Sequence, residues 1–564
     1  MDIKKILFVL IIFLAVFLRL FKLSDVPNGF YQDESAIGYN AYSILETGKD
    51  EYGKTFPLYF KSFGDYKLPV YIYTTAASIK IFGLNEFAVR FPSAFFGILT
   101  VILMYFYAKK ITTNKTFALL AMGLLALTPW HLHYNRATFE VSISLFLMLF
   151  GAYCMHLAVY DKKKGMFFLA TLFFVINIYT YNLTRLLSPA MYFFLIYIYR
   201  KDLFTHIRKS EKIITVVASV VIAAPIIFSI FGTGGLSSAS GTLLFSSPVT
   251  QANILEFRSY VVDVSPIINK TLFNSAMMSS WQYLLNIFSY LSSSFFFING
   301  PTHGNHGIGN YGLFHLFQLP LIIIGIYSLI TNKNRYIALL FGWSVITILV
   351  AALTREAPHA TRSFFLIMPL TFFSVYGALY LWEKVFKSKR KYIKETALAL
   401  TLCVVGYSFA IYFVSYFVRF PIAYAPQWRS TDKDLALYLR DNQSKYEQVI
   451  IDKDAGFIYS SLLFYLPFPP KEFQNTVKRL PDDAEGFSSV ESFGKYQFRE
   501  IDWDKDYFTN TKKVLIVTSV DKKPDGMPIL HSFFFPKRPV VIPVNGIIMQ
   551  YPVQDASYVV VEKR

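Results

Sequence analysis

Apolar runs of membrane-spanning length recur along most of this chain. They cover residues 6–21, 87–108, 116–134, 138–160, 166–182, 187–199, 213–231, 312–330, 336–353, 363–382 and 396–418. A helix needs about 20 apolar residues to cross the hydrocarbon core of a bilayer. Because lipid leaves backbone polar groups unsatisfied, such runs cross it as helices. The pattern predicts a polytopic α-helical membrane protein with about 11 transmembrane helices.

The placement of Lys and Arg predicts how these helices are oriented. If the N-terminus is cytoplasmic, the inside segments are 1–5, 109–115, 161–164, 200–212, 332–335 and 383–395. Together they hold 21 Lys/Arg and only six Asp/Glu. An excess of Lys and Arg marks cytoplasmic loops, so most of the formal charge of +18 is a topology signal and nucleic-acid binding loses its main support. The first run has no small-residue cleavage site, which indicates a retained anchor.

Composition excludes two broad classes of protein. Only 16% of residues are charged and 54% are hydrophobic. Soluble chains carry about 25% charged residues, so the chain is neither an ordinary soluble enzyme nor a disordered protein. Its two cysteines, Cys154 and Cys403, lie inside apolar runs and provide no disulfide framework or cysteine metal site.

The chain is predicted to have two parts. Residues 1–419 form the transmembrane domain, with outer loops at 22–86 and 232–311. Residues 420–564 form a small extracytoplasmic α/β or α+β domain, because short β-rich runs (EQVIID, KKVLIVTS, PVVIPV) follow a charged helical stretch. The apolar segment 68–83 is short and contains Lys80, so we expect a helix lying at the membrane surface.

Polar residues gather at the outer ends of the spans rather than in their middles. They are Asp33, Glu34, Asp65, Lys67, His131, His133, Arg136, Glu140, Arg185, Arg355, Glu356, His359 and Arg362. A transporter more often places its polar groups near the bilayer midplane, on broken helices. The distribution favours an outward-facing site at headgroup level.

The first outer loop contains the acidic pair Asp33–Glu34, followed by apolar residues at helical spacing up to Gly48. In one interpretation Asp33 caps this helix and Glu34 interacts favourably with the helix dipole. In the other, a carboxylate beside the membrane acts as general base and takes a proton from an attacking hydroxyl or amine. The spacing leaves both open.

Basic residues near the same depth also allow two interpretations. Lys67, Arg136, His359 and Arg362 are suited to contact a lipid phosphate. Alternatively, Lys67 is a snorkelling lysine, and His359 and Arg362 form a basic cap on the tenth span. His131 and His133 have metal-ligand character, but spacing fixes no third ligand, so no metal site is predicted.

The chain resembles GT-C glycosyltransferases of the protein O-mannosyltransferase and ArnT-like (glycosyltransferase family 39-like) type. The resemblance is carried by RLFKL at the end of the first span, Asp33-Glu34, Lys67-Leu68-Pro69, FGLNEFAVRFPSAFFG (82–97), PWHLHYNRATF (129–139) and PHATRSFFLIMP (358–369). It implies an inverting transferase that moves a sugar from a polyprenyl-phosphate-linked donor in the membrane to a protein hydroxyl, a lipid or a cell-envelope glycan at the outer face. It requires no cofactor, although a divalent cation is compatible with it.

The resemblance also implies roles for individual residues. Asp33 is the expected base, Glu34 supports it by orienting acceptor or sugar, and Lys67 contacts the lipid phosphate. ArnT-like members carry a basic residue three positions after the first acid, where this chain has Ala36. Arg136 or Arg362 is then expected to supply that charge, and His359 to contact donor phosphate or sugar.

Two other classes of function remain open at this point. A polytopic transporter or lipid flippase would depend on residues inside the spans. A membrane-anchored binding protein would depend on its tail, and residues 420–564 alone would keep its function.

Overall fold

Most of the chain is helical. The structure, a computed structural model, describes residues 2–63, 65–232, 243–245, 248–261, 265–386, 391–481, 488–544 and 547–563. Parts of the predicted outer loop 232–311, namely 233–242, 246–247 and 262–264, lie outside the described residues.

The helices are numbered in chain order. The first ten are α1 (Ile3–Leu20), α2 (Gln32–Thr47), α3 (Pro69–Phe82), α4 (Glu86–Thr112), α5 (Lys115–Leu127), α6 (Pro129–Tyr134), α7 (Val141–Tyr160), α8 (Met166–Asn177), α9 (Thr184–His206) and α10 (Lys209–Gly232). The next eight are α11 (Pro248–Tyr260), α12 (Pro266–Leu272), α13 (Ser275–Ser289), α14 (Gln318–Thr331), α15 (Ile337–Ala352), α16 (Ala360–Ser363), α17 (Ile367–Phe386) and α18 (Lys391–Val414). The last four are α19 (Phe420–Ala423), α20 (Asp432–Asn442), α21 (Ile458–Tyr465) and α22 (Pro470–Thr476).

Within the described residues, five helices are long and apolar enough to cross a membrane. They are Glu86–Thr112, Val141–Tyr160, Lys209–Ser229, Ala360–Val385 and Tyr392–Ala423. Four shorter apolar helices are Lys115–Leu127, Met166–Asn177, Gln318–Thr331 and Ile337–Ala352. All nine coincide with predicted runs and indicate a multi-pass membrane protein. The predicted runs 6–21 and 187–199 fall in α1 and α9; the count of about 11 spans and the orientation of the termini stay predictions.

One predicted run, 116–134, is divided in the structure. Helix α5 ends at Leu127, and the short helix α6 begins at Pro129. Thr128 between them is extended, with φ −61° and ψ 122°. A residue before proline is driven out of the helical region because the proline ring clashes with it. The proline therefore explains why the apolar run is not one helix.

The strands are likewise numbered in chain order. They are β1 (Phe60–Ser62), β2 (Asp65–Lys67), β3 (Gln448–Asp452), β4 (Lys478–Arg479), β5 (Val490–Phe493), β6 (Tyr496–Arg499), β7 (Val514–Thr518), β8 (His531–Phe534), β9 (Arg538–Val544), β10 (Ile547–Val553) and β11 (Ala556–Lys563). The tail holds a mixed sheet, seven strands in its described part, in the order β4-β5-β6-β3-β7-β11-β8. Central β3 pairs in parallel with β6 and β7. The three β-rich runs predicted in the tail are strands β3, β7 and β9, which confirms a sheet domain there.

The chain forms two compact units. Unit 1 contains residues 1–21 and 93–413, and unit 2 contains residues 22–92 and 414–564. The first outer loop therefore groups with the tail. The domain boundary at 419/420 stays a prediction.

Helix α2 is built into the core of unit 2. Its residues Ala36 and Tyr39 belong to the same buried cluster as Leu462 of α21, Phe493 of β5 and Val517 of β7. Each strand of the sheet alternates its side chains, and Ile450 and Ile516 face a second, smaller cluster. The helix carrying Asp33 thus packs against helices α21 and α22 of the tail, within the same core as the sheet.

Candidate active site

Lys67 is positioned by a short hairpin in unit 2. Strands β1 and β2 are antiparallel, with Phe60 opposite Lys67. Lys67 is the last residue of β2, and Pro69 occupies the first turn of α3. Proline is favoured there because its missing N–H has no intrahelical acceptor to lose. The Lys67-Leu68-Pro69 element therefore places the lysine at the junction of strand β2 and helix α3.

Asp33 lies in the first turn of α2 and forms an ion pair with Lys67. Lys67 Nζ is 2.8 Å from Asp33 Oδ1. The lysine side chain is 5% exposed, whereas the aspartate side chain is 39% exposed. The helix is capped by Tyr31 without a side-chain hydrogen bond, so Asp33 is not its N-cap. Gly48, with φ +69°, ends the helix as predicted.

Glu34, the next residue, faces the interior of unit 2. Arg90 Nε and Nη2 donate to its two carboxylate oxygens at 2.9 and 2.8 Å. Neither side chain has exposed surface. A role for Glu34 in orienting acceptor or sugar stays a prediction, and the geometry gives it a structural partner.

Arg90 also donates hydrogen bonds to backbone carbonyls of the segment that leads into α2. Its Nη1 donates to the carbonyls of Leu23, Ser24 and Pro27, and its Nη2 donates to the carbonyl of Gly29 at 2.5 Å. Sequence reasoning included this arginine in the 82–97 element but assigned it no role. The available signal was a charge inside the predicted apolar run 87–108, since such charges are costly unless they are paired.

The segment after α2 is held by polar contacts in the same unit. Asn40 Nδ2 and Ser62 Oγ both donate to Glu51 Oε1 at 3.2 Å. Arg479 Nη2 donates to the Glu51 carbonyl at 3.2 Å, and its guanidinium lies 3.6 Å from the centre of the Tyr52 ring. These contacts tie the segment to β4 of the sheet.

Asp50 in this segment is buried, and its two carboxylate oxygens differ in their hydrogen bonding. Its Oδ1 accepts hydrogen bonds from the backbone N–H groups of Tyr52 and Lys54. Its Oδ2 is buried with no hydrogen-bond partner in the described structure. Burial raises the pKa of Asp50 to about 6, because desolvation disfavours the charged form.

Arg136 belongs to unit 1 and is fully buried there. Its Nη1 donates to the carbonyl of Leu18 at 2.7 Å. Nearby in the same unit, Arg19 donates to Asn135 Oδ1 at 3.0 Å and lies 2.7 Å from His131 Nδ1. The structure thus places Arg136 and His131 in a packed polar interior at the end of α1. A phosphate contact by Arg136 stays a prediction.

His359 and Arg362 lie together in unit 1. His359 caps α16 through a hydrogen bond from the Thr361 N–H, and Arg362 donates to Glu356 Oε2 at 3.3 Å and to its carbonyl at 2.7 Å. The His306 ring lies 4.6 Å from the His359 ring. Burial, together with the neighbouring His303, His133 and Arg362 charges, lowers the pKa of His306 to about 3. The phosphate-binding roles of His359 and Arg362 stay predictions.

In the described part of the chain, no group of three or more His, Cys, Asp or Glu side chains is arranged to hold a metal ion. The expectation that no metal is required therefore stays a prediction.

Comparison with known proteins identifies the fold. Residues 67–228 match the family described as dolichyl-phosphate-mannose-protein mannosyltransferase. Over 99% of its length the chain superposes on ArnT from Cupriavidus metallidurans bound to undecaprenyl phosphate, covering 98% of that chain with a TM-score of 0.55 and 12% identity. The fold is that of the GT-C glycosyltransferases. The resemblance predicted from the sequence is thereby confirmed.

Other relatives share part of this architecture. The archaeal oligosaccharyltransferase AglB from Archaeoglobus fulgidus, in complex with an inhibitory peptide and a dolichol-phosphate, superposes with a TM-score of 0.50 and 14% identity, covering 82% of this chain and 64% of its own. An uncharacterized protein of Aquifex aeolicus is 30% identical over 199 residues, which is 34% of this chain. The match spans 38% of the length of that relative.

Proposed function

We propose that this protein is an inverting glycosyltransferase that moves a sugar from a polyprenyl-phosphate-linked donor to an acceptor at the outer face of the membrane. The observation that carries the proposal is the ion pair of a partly exposed Asp33 with a buried Lys67, on a GT-C fold. The match to the mannosyltransferase family and the lipid phosphates bound by ArnT and AglB support a lipid-linked donor. They do not favour a transporter or flippase.

The reaction needs a base for the acceptor. As the acceptor hydroxyl or amine attacks the anomeric carbon, its proton passes to a carboxylate oxygen of Asp33. The carbon–oxygen bond to the lipid phosphate breaks, and its electron pair leaves with the phosphate. Attack opposite the leaving group inverts the anomeric centre.

The leaving phosphate needs a cation rather than an acid. A lysine ammonium has three N–H donors. One of them meets Asp33 Oδ1 in the ion pair. Because Lys67 is nearly buried, its charge is poorly screened by water, and its attraction for an anion is stronger than that of a surface lysine. We assign Asp33 as base and Lys67 as phosphate contact.

Glu34 is assigned a positioning role through Arg90. The bidentate pair fixes the first turn of α2, and the carbonyls bound to Arg90 fix the chain before it. Placement of a base matters because proton transfer requires a hydrogen-bond distance of about 3 Å. Arg136, His359 and Arg362 keep their predicted roles as contacts to donor phosphate or sugar.

The test is an assay of purified protein with radiolabelled polyprenyl-phosphate sugars. We expect Asp33→Asn to lower the rate of transfer by about 10²–10⁴-fold, the usual contribution of a positioned base. The matched control is Asp25→Asn, an exposed aspartate of the same unit, which we expect to retain wild-type transfer. Equal transfer by wild type and Asp33→Asn would refute the assignment of the base.

A further inference from the structure

An aromatic and basic cluster in unit 1 lies apart from the residues assigned to transfer. It is formed at the ends of α7 and α9 and in the segment between α14 and α15. The Arg335 guanidinium lies 5.6 Å from the centre of the Tyr160 ring and 4.7 Å from that of Tyr336. Its Nη2 also donates to the Tyr336 hydroxyl at 2.5 Å. Arg335 is therefore an exposed cation that is held in place by two aromatic rings.

More aromatic side chains pack behind these two. The His156 ring lies 4.6 Å from the Tyr160 ring and 6.1 Å from the Tyr199 ring. His156 and Tyr199 are buried, whereas Tyr160 is exposed. Tyrosines with one apolar and one wet end are typical of the membrane–water boundary. The position of Tyr160 at the end of a candidate span, Val141–Tyr160, agrees with that depth.

Charge around this cluster is strongly positive. The segments 109–115, 161–164 and 332–335 hold eight Lys/Arg and one acid, Asp161. Lys110 Nζ already binds the Asp161 carboxylate at 2.5 Å. Within the described part of the chain, no carboxylate forms a salt bridge with Arg335. The cluster thus presents a fixed guanidinium with no acidic partner of its own there.

We propose that the Arg335 cluster binds the phosphate of an anionic phospholipid in the adjacent membrane leaflet. A guanidinium matches two phosphate oxygens at once, and its stacking on two rings reduces the freedom lost on binding. The neighbouring lysines add long-range attraction for an anionic leaflet. A phospholipid is favoured over a soluble partner because the exposed Tyr160 ends a candidate membrane span, where tyrosines are enriched at headgroup depth. The site is independent of the proposed transfer reaction.

The experiment measures lipid retention by native mass spectrometry. Wild-type protein is reconstituted in nanodiscs of phosphatidylcholine with phosphatidylglycerol, then released, and the bound phosphatidylglycerol is counted. We expect Arg335→Gln to retain about fivefold less phosphatidylglycerol, the effect of one basic group near a lipid surface. The matched control is Arg200→Gln, whose guanidinium stacks on Tyr197 at 4.0 Å but lies outside the cluster. We expect it to retain wild-type amounts.

Two results would overturn the proposal. One is unchanged retention in Arg335→Gln, and the other is an equal loss in Arg200→Gln, which would indicate general electrostatic attraction. Because Arg335 is exposed, its replacement is expected to leave the melting temperature in pure phosphatidylcholine unchanged. As a second measurement, raised salt should reduce retention by wild type more steeply than retention by Arg335→Gln, in which only the neighbouring lysines attract the lipid. Salt-insensitive retention by wild type would also contradict the proposal.

Discussion

The carboxylate of Glu34 and the guanidinium of Arg90 form a two-bond ion pair from which solvent is excluded. The two residues are 56 positions apart in the chain, and the arginine also binds four backbone carbonyls before α2. The pair therefore joins α4 to the helix that carries Asp33. Its loss would leave a buried charge without a partner.

We expect Arg90→Met to lower the free energy of unfolding by about 3–5 kcal/mol, the usual cost of breaking a buried ion pair from one side. Unfolding of the purified protein in detergent, followed by temperature or denaturant, measures the change. The control is Arg440→Gln, which removes an exposed pair with Asp441 and should cost about 1 kcal/mol or less. Similar losses in the two variants would contradict a stabilising role for the buried pair.

Lys67→Met is expected to lower kcat/KM for the lipid-linked donor by about tenfold or more, because a charge-assisted hydrogen bond contributes about 1.5–3 kcal/mol. Lys67→Arg keeps the charge and should recover part of the activity. The control is Lys61→Met. Lys61 belongs to the same hairpin but lies near Tyr52, so its replacement should leave kcat/KM unchanged. Wild-type kinetics in Lys67→Met would remove the phosphate contact from the mechanism.

Asp50 is expected to make stability depend on pH. Its folded pKa of about 6 lies above the ordinary value of 3.8, so the folded state favours the protonated form. Its contribution is full below pH 3.8 and is lost as the pH rises through about 6. Relative to Asp50→Asn, whose amide does not titrate, the melting temperature of the wild type should fall as the pH rises from about 3.8 to about 6 and then stay level. Parallel curves for the two proteins would show that Asp50 is not responsible, and Asp25→Asn serves as the control.

Gly29→Ala is expected to destabilise unit 2 strongly. Gly29 has φ +113°, and a Cβ added there would lie 2.1 Å from the Trp428 carbonyl oxygen, a backbone atom. Gly53 also has a positive φ, +80°, but a Cβ there would meet nothing within 4 Å. Gly53→Ala therefore measures the conformational cost alone, about 1–2 kcal/mol. If the two variants unfold alike, close approach of the backbone is not what requires glycine at position 29.

Local patterns in the sequence were sufficient to predict the apolar helices and three strands of the tail. Gly48 also ended its helix as expected, because glycine accepts a positive φ without strain. The break at Pro129 was missed, since hydropathy alone does not register the restriction on Thr128. These features depend on a few neighbouring residues.

The contacts around the candidate site depend on residues far apart in the chain. Asp33 was considered as an N-cap because its side chain suits that position, but its carboxylate pairs with Lys67, 34 positions away by number. No periodicity links Glu34 to Arg90, or Glu51 to Arg479. The family resemblance pointed to Asp33 and Lys67 from the sequence alone. The pairing of Glu34 with Arg90 could be seen only in the three-dimensional structure.

The buried cluster that α2 shares with the tail has a consequence for biosynthesis. Ala36 and Val560 belong to the same buried cluster, yet Val560 is made 524 residues after Ala36. At about 5–20 residues per second, roughly 25–100 s separate their synthesis. During that interval the apolar side of α2 lacks its final neighbours. The core around α2 is therefore complete only once the β11 residues have been made, long after the helix itself.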